Sequence, residues 1–222
     1  MQERAGLLSY DEKDVWINTN IKVNNQETRV VIYDGFKRIM DIVLALIGLV
    51  VGIPLIIIFG IAIMVESPGG VFYTQERLGE RGKVFKIYKL RSMVSDAEEN
   101  GAQWAKENDS RVTKIGRLIR KMRIDEIPQL FNVIKGDMSI VGPRPERPIF
   151  TQKFNKEIPG FINRLRVKPG ITGWAQVNGG YDLTAKEKYE LDMYYIENKG
   201  LKLDLLIILK TIKVVLTGDG AR

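Results

Sequence analysis

The feature that most restricts this chain is a run of 24 residues, Ile42 to Val65, without a single charged side chain. At a helical rise of about 1.5 Å per residue it reaches about 36 Å, enough to cross the hydrocarbon core of a bilayer. Core helices of soluble proteins rarely stay uncharged for that length, so a membrane segment is expected. Pro54 stands in the middle, where it removes a backbone donor and kinks a helix, and Gly48, Gly52 and Gly60 weaken the helix around it. Basic residues lie on both sides: Lys22, Arg29, Lys37 and Arg38 before the run, and Arg77, Arg81, Lys83 and Lys86 after it. The positive-inside rule places both flanks in the cytoplasm, which a hairpin satisfies and a single crossing does not. Because Pro is common in membrane helices, a plain crossing stays open at this point.

The rest of the chain is rich in charge, with a formal net charge of +7. That balance favours anionic partners: nucleic acid, phospholipid headgroups or phosphorylated substrates. The absence of Cys excludes disulfides, Cys-ligated zinc and thiol nucleophiles. The absence of His removes the commonest general base and transition-metal ligand. Catalysis would then rest on carboxylates, Lys, Arg, Tyr, Ser or Thr, and a metal would be a hard cation such as Mg²⁺ held by oxygens.

Three regions follow: a polar tail over 1–34, the apolar segment over 35–66 and the remainder over 67–222. The tail lacks the basic start, apolar core and small-residue cleavage site of a signal peptide. Val71 to Thr74 and Val84 to Tyr88 read as two strands of a hairpin joined through Gly79 and Gly82. Met93 to Asn108 has helical composition. Over Arg111 to Arg123, Val112, Ile115, Leu118, Ile119 and Met122 recur at helical spacing among Lys114, Arg117, Arg120, Lys121 and Arg123, which predicts a basic amphipathic helix. Such a helix packs on a core or lies in the headgroup layer of a membrane. A last helix over Asp204 to Leu216 invites the same two readings. There is no P-loop and no Gly-x-Gly-x-x-Gly after a strand.

The segment Arg120 to Pro145 reads RKMRIDEIPQLFNVIKGDMSIVGPRP. Asp125-Glu126 directly follows the cationic helix, among Arg117, Arg120 and Arg123, which would lower carboxylate pKa values and gather phosphate oxygens. Taken alone the pair is two adjacent acids at a helix end. In a chain without His, however, a carboxylate must take the place of base or nucleophile. Arg144, between Pro143 and Pro145, has few backbone alternatives, a preorganisation that suits a phosphate clamp. Arg166 to Gly180, dense in Gly with Trp174 in its middle, reads as a loop of the kind that cradles a ligand.

The motifs KRIMDIVLALIGLVVGIPLII, VFYTQERLG, FKIYKLRSM, IDEIPQLFNVIKGDMSIVGPRP and KPGITGWAQVNG together resemble the bacterial monotopic phosphoglycosyl transferases, in their small form. The likeness runs from about Phe36 to Leu216. It implies a mostly α chain with a small β-hairpin (α+β), comprising a re-entrant membrane helix, interfacial amphipathic helices and a compact cytosolic catalytic domain on the cytoplasmic face of the bacterial inner membrane. It implies transfer of a sugar 1-phosphate from a UDP-sugar to polyprenyl (undecaprenyl) phosphate with release of UMP, the first membrane step of exopolysaccharide, capsule or glycan assembly. In that family the Asp matching Asp125 is the nucleophile that forms an aspartyl phosphosugar, and Glu126 matches its partner. The likeness further implies Mg²⁺ near Asp125 and Glu126, and donor phosphates at Arg120 and Arg144. Pro54 matches the break of the re-entrant helix, where many members carry Ser before the Pro and this chain has Ile53. Gly179-Gly180-Tyr181 is a candidate part of the sugar pocket, and apolar helices in a membrane plane are compatible with a homodimer. Two other readings compete: a membrane-anchored scaffold without catalysis, and a tethered nucleic-acid-binding protein. The second has charge in its favour but no recognition motif and no aromatic stacking surface, so nucleic acid is not an expected partner.

Overall fold

A computed structural model describes residues 27–99 and 109–217. Most of the expected tail, residues 1–26, lies outside them, but the first helix, α1 (Glu27–Glu66), begins inside the stretch assigned to that tail. Helix α1 carries Pro54 without a gap in its helical assignment, so the helix runs on through the residue expected to bend it. Pro54 itself is exposed.

What matters for function is how α1 is held. Ahead of the apolar run, Tyr33 and Lys37 donate to the buried carboxylate of Asp204 at 2.7 and 2.9 Å. Arg38 donates to the carbonyls of Val133 and Ile134 at 2.6 and 2.8 Å. Asp41, also buried, accepts from Ser139 Oγ at 3.0 Å and from the Ile140 amide at 2.9 Å. Within the run, Ala45 joins a core with Phe85, Val133 and Met138. Further along, Ile63 packs with Leu90, Ile119 and Ile124, with Leu55, Ile56 and Phe59 at its edge. At its end, Glu66 accepts from the amides of Lys114 and Ile115 at 2.7 and 2.9 Å. Both ends of α1 are therefore fastened to the same body. The outward side is an apolar surface in which Val50, Val51, Ile57, Ile58, Ile61 and Val65 are more than half exposed.

The expected hairpin is present as β1 (Phe72–Leu78) and β2 (Val84–Leu90), antiparallel with Phe72 opposite Leu90 and Leu78 opposite Val84. The helical expectation for Met93 to Asn108 is not met over its described part, Met93 to Glu99. Met93 forms an isolated bridge with Val112, residues 95–99 are turns, and 100–108 lie outside the described residues. Arg111, paired with Asp109, donates to the Ala97 carbonyl at 3.0 Å, and the stretch lacks the apolar stripe that would hold a helix on a core.

The basic amphipathic helix is α2 (Lys114–Lys121), capped by the Thr113 side chain on the Gly116 amide. Its Ile115 and Ile119 face the core, while Leu118 and Met122 stay exposed. After it come a 3₁₀ turn at Ile124–Glu126, α3 (Gln129–Lys135) and β3 (Ser139–Val141). Then follow α4 (Pro148–Glu157), a 3₁₀ stretch over Phe161–Arg166 and β4 (Gly170–Thr172). A short α5 (Trp174–Val177), α6 (Ala185–Asn198) and α7 (Leu201–Thr217) complete the order. In α7, Ile207 is buried, whereas Leu205, Leu206, Leu209 and Ile212 are exposed.

Strands β3 and β4 form a two-stranded parallel ladder, Ser139 opposite Gly170 and Val141 opposite Thr172. The Gly-rich segment read as a loop is thus a strand followed by a helix. Its glycines allow backbone to meet backbone, since a Cβ on Gly170 would lie 2.1 Å from the Gly142 nitrogen. Gly116 is as tight: a Cβ there would lie 2.0 Å from the Ser92 carbonyl oxygen. Because the obstacle is backbone, Gly116→Ala should destabilise the fold by about 1–3 kcal/mol, read as a lowered unfolding midpoint in detergent. An unchanged midpoint would contradict this packing.

Candidate active site

Asp125 and Glu126 are brought inside by a local reversal. Helix α2 ends at Met122, and Arg123 takes the left-handed conformation (φ 55°, ψ 21°). That conformation is uncommon outside Gly and costs on the order of 1 kcal/mol or more. It turns the chain so that Ile124 enters the core and the two carboxylates follow. Asp125 and Glu126 are 6% and 7% exposed, so they are not a solvated helix end.

The neighbours of the pair arrive from several elements. Strand β2 supplies Lys89, whose Nζ lies 3.1 Å from Glu126 Oε1 and 3.9 Å from Asp125 Oδ2. The strand is held on α3 by the buried Asn132 carboxamide, which accepts from the Tyr88 amide at 3.1 Å and donates to the Lys86 carbonyl at 2.8 Å. The loop after β3 supplies Arg144, which donates to Glu126 Oε1 in a short, charge-assisted bond. Arg123 approaches Glu126 Oε2 at 3.8 Å. Helix α2 supplies Arg120, oriented by donation from its Nε to Ser92 Oγ at 2.9 Å.

The two carboxylates are set apart electrostatically. At Asp125, burial dominates and raises the pKa from 3.8 to about 6, with Lys89 opposing and the Glu126 charge adding to the rise. At Glu126, burial also pushes upward, but Arg144, Lys89 and Arg123 outweigh it and hold the carboxyl well below its ordinary range. The expectation that arginines lower both pKa values therefore holds for Glu126 and fails for Asp125. Arg117, included in that expectation, is exposed on α2.

Asp125 opens onto a cleft of about 310 Å³. Lys89, Arg120 and Arg144 line it around Asp125, with Arg77, Arg91, Arg111, Arg147 and Lys188 elsewhere on its wall, against the acids Glu98 and Glu146. Such an excess of cations in a concave site suits a polyanion. Glu126 sits behind this wall, occupied with its three cations. Of the residues read from sequence, Asp125, Arg120 and Arg144 thus meet on one cleft, with Glu126 beneath them. Pro54 belongs to α1 and is not part of it. Gly180 borders a smaller cavity of about 40 Å³ together with Arg123, Arg144 and Lys188. The Trp174 ring is stacked on Tyr194 at 5.8 Å with Lys210 above it at 4.5 Å, so it packs helices together.

Lys89 was not singled out in the sequence reading. A signal existed: it continues the alternation of Phe85 and Ile87, both buried on β2, and so places a cation at an inward position. As for a metal, no group of three or more acidic side chains gathers among the described residues. Mg²⁺ characteristically takes one or two carboxylates and completes its shell with substrate phosphate and water. The Asp125 carboxylate on a cation-lined cleft fits that mode.

Comparison with known proteins gives this geometry a context. Residues 32–218 match the family model for bacterial sugar transferases. A UDP-N-acetylgalactosamine-undecaprenyl-phosphate N-acetylgalactosaminephosphotransferase of Aeromonas hydrophila is 50% identical over 194 residues, covering 86% of this chain and 46% of that protein. The sugar transferase EpsL of Bacillus subtilis (strain 168) is 44% identical over 191 residues, covering 83% of this chain and 89% of its own. A UDP-glucose:undecaprenyl-phosphate glucose-1-phosphate transferase of Escherichia coli (strain K12) is 39% identical over 181 residues, covering 79% and 39%. The chain therefore spans less than half of the Aeromonas and Escherichia relatives and most of the Bacillus one. With a match from before the apolar run to the end of α7, the chain belongs to the bacterial sugar transferase family.

Proposed function

We propose that the chain transfers a sugar 1-phosphate from a UDP-sugar to a polyprenyl phosphate and releases UMP, with Asp125 as the covalent nucleophile. The observation that carries this reading is the division within one buried pair. Asp125 faces a cationic cleft, whereas Glu126 is neutralised by Arg144, Lys89 and Arg123.

In the first step an Asp125 Oδ atom attacks the sugar-side phosphorus of the donor. The bond from that phosphorus to the bridging oxygen breaks, and UMP leaves with the oxygen and its electron pair. In the second step a phosphate oxygen of the polyprenyl acceptor attacks the same phosphorus. The acyl phosphate bond breaks and restores the Asp125 carboxylate, giving the lipid diphosphate sugar. Splitting the transfer allows a soluble donor and a lipid acceptor to use one site in turn. Lys89, close to both carboxylates, supplies positive charge to offset the negative charge of the phosphate oxygens, with Arg120 and Arg144 on the same cleft. Glu126 acts from behind by keeping Lys89 and Arg144 in place. Asp125, together with donor oxygens, would hold Mg²⁺, which would neutralise the diphosphate. The name of the Aeromonas relative makes UDP-N-acetylgalactosamine the first donor to assay, and that of the Escherichia relative makes UDP-glucose the second.

The same proposal places α1 in the cytoplasmic leaflet of the bacterial inner membrane, entering and leaving by one face. The fastening of Lys37, Arg38 and Asp41 at one end and Glu66 at the other to a single body supports this, as does the apolar outward side. The exposed apolar residues of α2 and α7 would add contacts at the headgroup level.

Three outcomes are expected. Asp125→Asn should lower UMP release by about 10³-fold or more, as for other catalytic nucleophiles; wild-type turnover in this variant would remove Asp125 as nucleophile. The pH dependence should run in opposite senses for activity and stability. Since the folded pKa of Asp125 is raised, its stability contribution is full below about pH 4 and is lost as pH rises through about 6. The nucleophilic anion is gained over that window. Turnover should therefore rise with pH across about 6. Over the same range Asp125→Asn should become more stable than wild type, by on the order of 2–3 kcal/mol, and a constant stability difference from pH 4 to 7 would refute the shift. Finally, the lack of native Cys permits single-Cys labelling: Lys37→Cys and Ser67→Cys should react with an impermeant reagent from the same side of inverted vesicles, and labelling from opposite sides would establish a crossing.

A further inference from the structure

The loop that presents Arg144 is pinned along its carbonyls. The Gly170 amide donates to Pro143 O at 2.9 Å and the Leu78 amide to Glu146 O at 3.1 Å. Arg77 donates to Pro145 O at 3.4 Å. The carbonyl of Arg144 itself is held differently, by the Arg164 guanidinium at 2.9 Å.

Arg164 is a costly device for satisfying one carbonyl. It is 6% exposed and forms an ion pair with Asp192, which is 1% exposed. Its Nε and a terminal nitrogen lie 2.8 and 2.7 Å from the same Asp192 Oδ2. The guanidinium also sits 4.8 Å from the Phe161 ring centroid. Burying two charges to make a turn gains little over an apolar replacement, because desolvation offsets most of their attraction. An amide or a water would serve the carbonyl equally well. What the planar, doubly anchored fork adds is a fixed direction. The carbonyl it fixes belongs to the residue whose side chain reaches Glu126.

We propose that Arg164, anchored by Asp192, is a positioning residue that aims Arg144 at Glu126 and thereby at the diphosphate of the donor. The last link rests on the transferase reading above; the first does not. A chain of three residues thus runs from α6 to the catalytic pair without Arg164 touching substrate.

A double-substitution cycle tests it on the full chain in detergent or nanodiscs. Arg164→Lys, which replaces the fork by a single nitrogen, should lower kcat/KM for UDP-sugar by about tenfold or more with the unfolding midpoint largely kept, as expected for lost transition-state placement. If Arg164 acts through Arg144, the Arg164→Lys/Arg144→Lys double variant should be no slower than Arg144→Lys alone. Effects that multiply, or wild-type kinetics in Arg164→Lys, would overturn the proposal. Should Arg164→Lys fail to fold, the charge-free pair Arg164→Gln/Asp192→Asn takes its place in the same cycle, with the same outcomes required. UDP affinity by calorimetry is read in parallel: wild type that binds UDP but turns over no UDP-sugar would defeat the transferase reading, and the cycle would still be decided in UDP affinity.

Discussion

Two carboxylates side by side in a protein interior cannot both stay ionised unless cations reach the same depth. Asp125 and Glu126 meet this condition unequally, and much of the architecture serves the inequality. Lys89 comes from the hairpin, Arg144 from the loop after β3, and Arg123 from the end of α2. All three converge on Glu126, and Lys89 also lies 3.9 Å from Asp125 Oδ2. The environment thus splits the pair: Glu126 is held as an anion, and Asp125 has its pKa raised to about 6.

The second organising element is α1, which acts as membrane candidate and as part of the core at once. Its inner side contributes Ala45 and Ile63 to two separate clusters that also contain residues of the hairpin, α2 and α3. Its polar residues Arg38 and Asp41 terminate loose backbone groups of α3 and β3. Removing α1 would strip the rest of the chain of packing and of hydrogen-bond partners. The two are one folding unit, whatever the medium on the outward side.

Much of this was legible in the sequence because it rests on local chemistry. The apolar run, the hairpin around Gly79 and Gly82, and the basic helix before Asp125-Glu126 follow from periodicity, turn residues and charge. The meeting of Arg144 with Glu126 was only half legible: the flanking prolines announced a rigid loop but not its target. The parallel β3–β4 pair escaped because three-residue strands carry no period and their glycines resemble those of a loop. Lys89 was hidden by its surroundings, a lysine in a motif rich in basic residues, and only its parity with Phe85 and Ile87 marked it as inward. The raised pKa of Asp125 is not legible in the sequence, which shows neighbouring charges but not depth. Here burial outweighs them.

The bonds from Glu66 to the amides of Lys114 and Ile115 have a consequence for the geometry of encounter. The last residue of α1 caps the helix that ends at Lys121, from which Met122 and Arg123 lead into the turn that carries Asp125. On the proposed transferase and membrane reading, no slack linker separates the anchor from Asp125, so the height of Asp125 relative to the headgroups is set by a rigid strut. A lipid phosphate diffusing in the plane of the leaflet then finds its target by a two-dimensional search at constant elevation. The soluble donor alone must approach from the third dimension.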